Sequence, residues 1–195
     1  MPGRDGSGLA AFTMSELHRQ SERQESAPFE PGAISRLLAG EHRRLERLLE
    51  LAAQGETEAY SEFRKLLLRH IGIEEKIVFV EAQRARSGAA LPVAAQLRLE
   101  HGALAALVML PPRSVTLRAI RAVLERHNPL EEGPGGVYAA AEEALGPRCP
   151  QVLEAIKAAP QVPVSPWAES PKIGAAARRT LARAGFSESL LDSRS

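Results

Sequence analysis

In the stretch FRKLLLRHIGIEEKIVF, residues 63–79, apolar side chains recur three and four positions apart. Phe63, Leu66, Leu67, Ile73, Ile77 and Val78 therefore fall on one stripe of a helix. His70 sits inside that stripe, and Glu74 follows one turn later on the same face. A polar ring on a buried stripe is costly unless it finds a partner. The stretch thus predicts a helix that carries a polar, partnered group into a core.

Outward from it, the same arrangement recurs three more times. No proline interrupts residues 33–91. A first helix is predicted over 33–53, ending near Gly55, with Ile34, Leu37, Leu38, Leu45, Leu48, Leu49 and Ala52 as its stripe and His42 within it. The second, which contains the opening stretch, is predicted from Thr57, read as its N-cap, to about 86. A third is predicted from about Pro92 to Leu110, where Pro111 and Pro112 stop it, with His101 between Leu97 and Leu104. The fourth begins near Ser114 and carries Leu117, Ile120, Val123, Leu124 and His127. It is expected to be disturbed at Pro129 and at the glycines of 133–136, and to resume over 138–145. β-Branched residues are scattered and alternation never persists, so no strand is expected. The fold class that follows is all-α: an up-down-up-down four-helix bundle over residues 33–146. Residues 1–32 read as an irregular N-terminal arm with a short helix near 14–23. Residues 147–195 read as a Pro-rich C-terminal extension, irregular except for a short helix near 172–184, with Trp167 packing it onto the bundle.

Composition narrows the chemistry. The 195 residues carry 25 Lys+Arg against 24 Asp+Glu, one cysteine and five histidines. A single cysteine, Cys149, builds neither a disulfide framework nor a thiolate metal knuckle, and it reads as inert. The apolar run 103–110 is far shorter than the roughly 20 residues that span a bilayer. No apolar stretch fit for a signal peptide opens the chain, so a cytoplasmic protein without a membrane partner is expected. A net charge of +1 gives no support for a nucleic-acid partner. Lys172, Arg178, Arg179 and Arg183 read as a solvated face. His18, in the arm, reads as a bystander.

The four remaining histidines form a pattern. The first half of the bundle reads Glu41-His42, then His70-x-x-x-Glu74-Glu75; the second reads Glu100-His101, then His127-x-x-x-Glu131-Glu132. The histidine intervals are 28 (42 to 70) and 26 (101 to 127). At about 1.5 Å per residue, each pair lies at similar height around its connection. Two helical hairpins with matching donor sets predict a pseudo-symmetric site of four imidazoles and two carboxylates. Imidazole suits iron, zinc, copper and nickel, whereas carboxylate favours harder ions. Six side chains are too many for one tetrahedral zinc and suffice for two metals with vacant positions, as in a di-iron centre. Glu41, Glu75, Glu100 and Glu132 are rotated off the inward face. They read first as solvated or interhelical charges, and second as carboxylates that steer a ring nitrogen.

On these four histidines and both His-x-x-x-Glu-Glu motifs, residues 33–145 resemble the haemerythrin-like family in its histidine-histidine-glutamate cation-binding form. The resemblance implies a four-helix bundle and a carboxylate-bridged pair of non-haem irons, two per chain, with other divalent metals binding in vitro. It implies His42, His70, Glu74, His101, His127 and Glu131 as the ligands, with Glu132 as the alternative to Glu131. Oxygen-carrying members have a further histidine one turn after the third ligand, where this chain has Ala105, so one iron is expected to be more open. The expected function is a di-iron protein that senses, stores or handles a small diatomic ligand, O2 or NO, or iron itself. Two other readings stand beside it: a di-metal oxidoreductase, such as an NO or peroxide reductase or an iron-cluster repair factor, and a metal-free interaction bundle. The absence of a Glu-x-x-His motif argues against a ferritin-like oxidase.

Overall fold

The computed structural model describes residues 32–192, and those residues contain helices and no strand. All of the N-terminal arm but Gly32, including its expected helix and His18, lies outside the described residues. The first helix, α1 (Ala33–Ala53), buries Ile34, Leu38, His42, Leu45, Leu49 and Ala52, three or four residues apart. Its unsatisfied N-terminal amides are met by a carboxylate from elsewhere in the chain. Gly32 N and Ile34 N donate to Glu142 at 3.0 and 2.8 Å, and the Ser35 hydroxyl donates at 2.6 Å. A Cβ on Gly32 would lie within 2.4 Å of that carboxylate, so a side chain there would push the Glu142 end group off these amides.

Gly55, at φ +100°, turns the chain into α2 (Thr57–Ile73). The cap residue is Glu56 rather than Thr57, and no side chain bonds the first turn. The helix then passes through a π-helical turn (Glu74–Val78) into α3 (Phe79–Ala85). The sequence reading expected a plain α-helix here. The cause of the difference lies in the burial pattern: His70, Glu74, Val78 and Ala82 are all buried. Three successive steps of four drift about one residue against a 3.6-residue turn, and the π turn absorbs that residue.

The third bundle helix, α4 (Ala94–Leu107), is shorter than expected at both ends. Val93 takes a left-handed conformation (φ 52°), which keeps Pro92 outside the helix. The fourth, α5 (Ser114–Glu132), runs straight through Pro129 where a break was expected. Pro129 and Glu125, the residue whose carbonyl loses its usual N–H donor, are both exposed. The glycines of 133–136 then reverse the chain into α6 (Val137–Leu145). A Cβ on Gly136 would approach the Glu131 carbonyl to 2.6 Å, so glycine is required for α6 to return this closely.

The C-terminal extension is more ordered than its prolines suggested. A helix not expected from sequence, α7 (Cys149–Lys157), starts with Pro150 in its first turn, where a missing N–H costs nothing. Val152 and Ile156 bury its inner face. The last α-helix, α8 (Pro171–Arg183), is capped by the Ser170 hydroxyl and buries Ala177 and Leu181. Between them Trp167 packs on Tyr60, ring centroids 5.6 Å apart, with the Arg64 guanidinium over the indole.

The core divides into two apolar clusters. One gathers Leu45, Leu49, Phe63, Leu67, Leu104, Leu107, Ile120 and Val123. The other gathers Ile34, Leu38, Ile73, Phe79, Leu97 and Tyr138. On every bundle helix the histidine lies between residues of the two clusters, so a polar layer crosses the bundle at mid-height.

Candidate metal centre

His42 on α1, His70 on α2, His101 on α4 and His127 on α5 are each at most 3 % exposed, and Glu74 and Glu131 are fully buried. They form two overlapping groups of four donors: His42, His70, Glu74 and Glu131, and Glu74, His101, His127 and Glu131. Within each group the donor atoms all lie within 4.8 Å of one another. Both carboxylates belong to both groups. Glu74 presents Oε1 to His70 Nε2 at 3.3 Å and Oε2 to His101 Nε2 at 3.2 Å. Glu131 presents Oε2 to His127 Nε2 at 3.1 Å and to His42 Nε2 at 3.4 Å, and Oε1 to His101 Nε2 at 3.5 Å. The structure brings together all six of the side chains singled out by spacing, and of the two adjacent glutamates Glu131 is the inward one.

Each imidazole turns Nε2 inward because its Nδ1–H donates to a carboxylate on another helix. His42 donates to Glu132 at 2.5 Å, His70 to Glu41 at 2.8 Å, His101 to Glu75 at 2.8 Å and His127 to Glu100 at 2.9 Å. The residues read first as solvated charges therefore hold the rings, as the second reading had it. Each glutamate beside an inward group reaches across to the next helix. Arginines anchor three of the four: Arg69 binds Glu41 at 2.9 Å, Arg98 binds Glu75 at 3.0 Å and Arg126 binds Glu100 at 2.8 Å. With Nδ1 carrying the hydrogen, the neutral tautomer offers its Nε2 lone pair to the centre.

Comparison with known proteins agrees with this geometry. Residues 33–134, more than half of the chain, match the model of the Hemerythrin HHE cation binding domain. The chain belongs to the haemerythrin HHE cation-binding family. No curated protein and no solved structure matches it at a comparable standard.

The interior of this HHE domain has the chemistry of a cation site. His42 Nε2 and His70 Nε2 face each other at 2.8 Å, an arrangement that two lone pairs do not tolerate without a proton or a cation between them. Among the described residues, Glu74 Oε2, His101 Nε2 and Glu131 Oε1 are buried without a hydrogen-bond partner. All three point into the second group, and a positive ion there would satisfy all of them.

In the metal-free HHE domain protons take over that role. Burial opposes charge on the rings, but the carboxylates outweigh it. Glu74 and Glu41 lift His70 to about 10, while Glu131, Glu74 and Glu75 lift His101 to about 11. His42 and His127 are raised in the same way. For Glu74, burial and the Glu131 charge push upward, yet His70 and His101 hold it down at about 2.

One residue of the site was missed by the sequence reading, which used Tyr138 only to mark the resumption of a helix. Its side chain is buried at the centre. The hydroxyl donates to Glu74 Oε1 at 2.5 Å and lies 3.1 Å from Glu131 Oε2. It also lies 3.2 Å from His42 Nε2 and 3.4 Å from His70 Nε2. Burial beside two carboxylates pushes the phenol well above its ordinary range. The one signal available in sequence was that Tyr138 follows a glycine turn directly after Glu131. Cys149 stands apart, its thiol donating to the Glu142 carbonyl at 3.5 Å.

Proposed function

We propose that this chain is a non-haem di-iron protein that binds a small diatomic ligand, O2 or NO, or handles iron itself. His42, His70, His101 and His127 are the nitrogen ligands, and Glu74 and Glu131 bridge the two metals. The observation that carries this reading is the pair of four-donor groups sharing both carboxylates, with three buried atoms left unpartnered between them. When bound, the iron pair supplies one-electron chemistry and exchangeable positions for a small ligand. The protein's own contribution is orientation and exclusion. Glu41, Glu75, Glu100 and Glu132 fix four ring planes, and the two apolar clusters seal the layer from above and below.

Anaerobic loading of the full chain with Fe²⁺ is expected to give about two irons per chain, counted by metal analysis. His70→Ala and Glu74→Ala are expected to lose at least one of them. Well-folded protein that takes up no iron would rule the reading out. A metal-free bundle finds less support, since it must hold four buried imidazoles and two buried carboxylates together with protons alone.

A further inference from the structure

The two halves of the site are matched in histidines and carboxylates but not in their surroundings. The Tyr138 hydroxyl lies against all four donors of the first group: His42, His70, Glu74 and Glu131. Its distances to them, 2.5–3.4 Å, bracket about 3 Å. That is the separation of neighbouring donors around one ion that binds each of them at roughly 2.0–2.2 Å. Among the described residues the second group has no such neighbour. It holds the three unpartnered atoms, and the position one turn beyond His101 is Ala105, which has no donor.

We propose that Tyr138 is a fifth protein ligand, through its phenolate oxygen, of the metal held by His42 and His70. This rests on the di-iron reading above and makes the two metals unequal. The His42–His70 metal would then have one more protein donor, and one fewer exchangeable position, than the His101–His127 metal. Binding forms one metal–oxygen bond and breaks the phenol O–H bond, and its proton leaves to solvent as metal enters. No electron moves in that step. The backbone enforces the placement. Gly136 permits the reversal beside the Glu131 carbonyl, and α6 then returns Tyr138 into the layer two residues later.

The test is spectroscopic. The full chain is loaded with Fe²⁺, oxidised by air to the ferric state, and examined by metal analysis, visible absorption and resonance Raman scattering. A phenolate on ferric iron gives an intense visible charge-transfer band, and excitation in that band enhances tyrosine ring modes. The chain has only two tyrosines, and Tyr60 is engaged elsewhere, donating to the Leu110 carbonyl at 2.8 Å. Tyr60→Phe is therefore expected to keep the band. Tyr138→Phe is expected to lose it while keeping two irons and full helical content. Iron-loaded parent protein without phenolate ring modes would overturn the assignment and leave the di-iron reading standing. A band that survives in Tyr138→Phe would overturn it as well. Parent protein that binds no iron overturns both. Should Tyr138→Phe fail to fold, a shift of the Raman modes on ring-deuterated tyrosine in the Tyr60→Phe background supports the assignment, and unshifted modes reject it.

Discussion

Glu100 and Glu132 make the same kind of contact from opposite environments. Glu100 is fully buried, and its carboxylate also accepts from Gln96 and Arg126, so its geometry is fixed before His127 uses it. Glu132 is 34 % exposed. A carboxylate that orients a metal-bound imidazole is worth about 10–100-fold in metal affinity, and more of that is lost when the carboxylate is rigid. Glu100→Gln is therefore expected to weaken iron binding about 10–100-fold, and Glu132→Gln by less, in competition with a chelator of known affinity. Equal effects would show that rigidity does not matter here. Much of this layer could be read from sequence, because His-x-x-x-Glu places two donors one turn apart on one face. The ring-holding roles of Glu41, Glu75, Glu100 and Glu132 were only half legible. Spacing shows that they point off the inward face, but not which helix stands opposite. Tyr138 was not legible as a site residue, since its entry depends on a turn whose tightness no periodicity records.

At the scale of elements, the four bundle helices were readable from their stripes and prolines, and the departures have local causes. The π turn answers a burial pattern of fours, α5 tolerates Pro129 because that face is exposed, and α7 forms because Pro150 falls in its first turn. The contact least visible in sequence is the cap that α6 supplies to α1, formed by residues 110 positions apart. Glu142 takes the amides of Gly32 and Ile34 and the hydroxyl of Ser35, which joins the first helix to the segment that carries Tyr138. Losing a cap of this kind costs about 1–2 kcal/mol. For a chain of this size each kcal/mol shifts Tm by roughly 2–4 °C. Glu142→Ala is accordingly expected to lower Tm by a few degrees without removing iron. Tm unchanged within error in calorimetry would show that water replaces the cap at no cost.

Across the whole molecule, the polar layer that separates the two apolar clusters ties stability to pH in opposite directions with and without metal. In the metal-free protein His70 and His101 are raised to about 10 and 11, so their stabilising contribution is complete below their unfolded value and is lost as pH rises toward those values. Glu74, held at about 2, contributes above its unfolded value and loses that contribution as pH falls toward 2. Metal-free protein is thus expected to be most stable between about pH 4.5 and about 6.5, declining on both sides. A bound metal reverses the alkaline side, because it requires the imidazoles as neutral donors and displaces the protons they otherwise hold. An ion present at about 100 times its Kd adds roughly 2.7 kcal/mol, and that Kd falls as proton competition weakens. Melting temperatures taken anaerobically with and without Fe²⁺ at about pH 6 and about pH 8.5 are expected to diverge, the metal-free value dropping while the difference between the two grows. A difference that stays constant or shrinks toward alkaline pH would mean that metal and protons do not compete for the same four imidazoles, and the layer would then have to be held by protons alone.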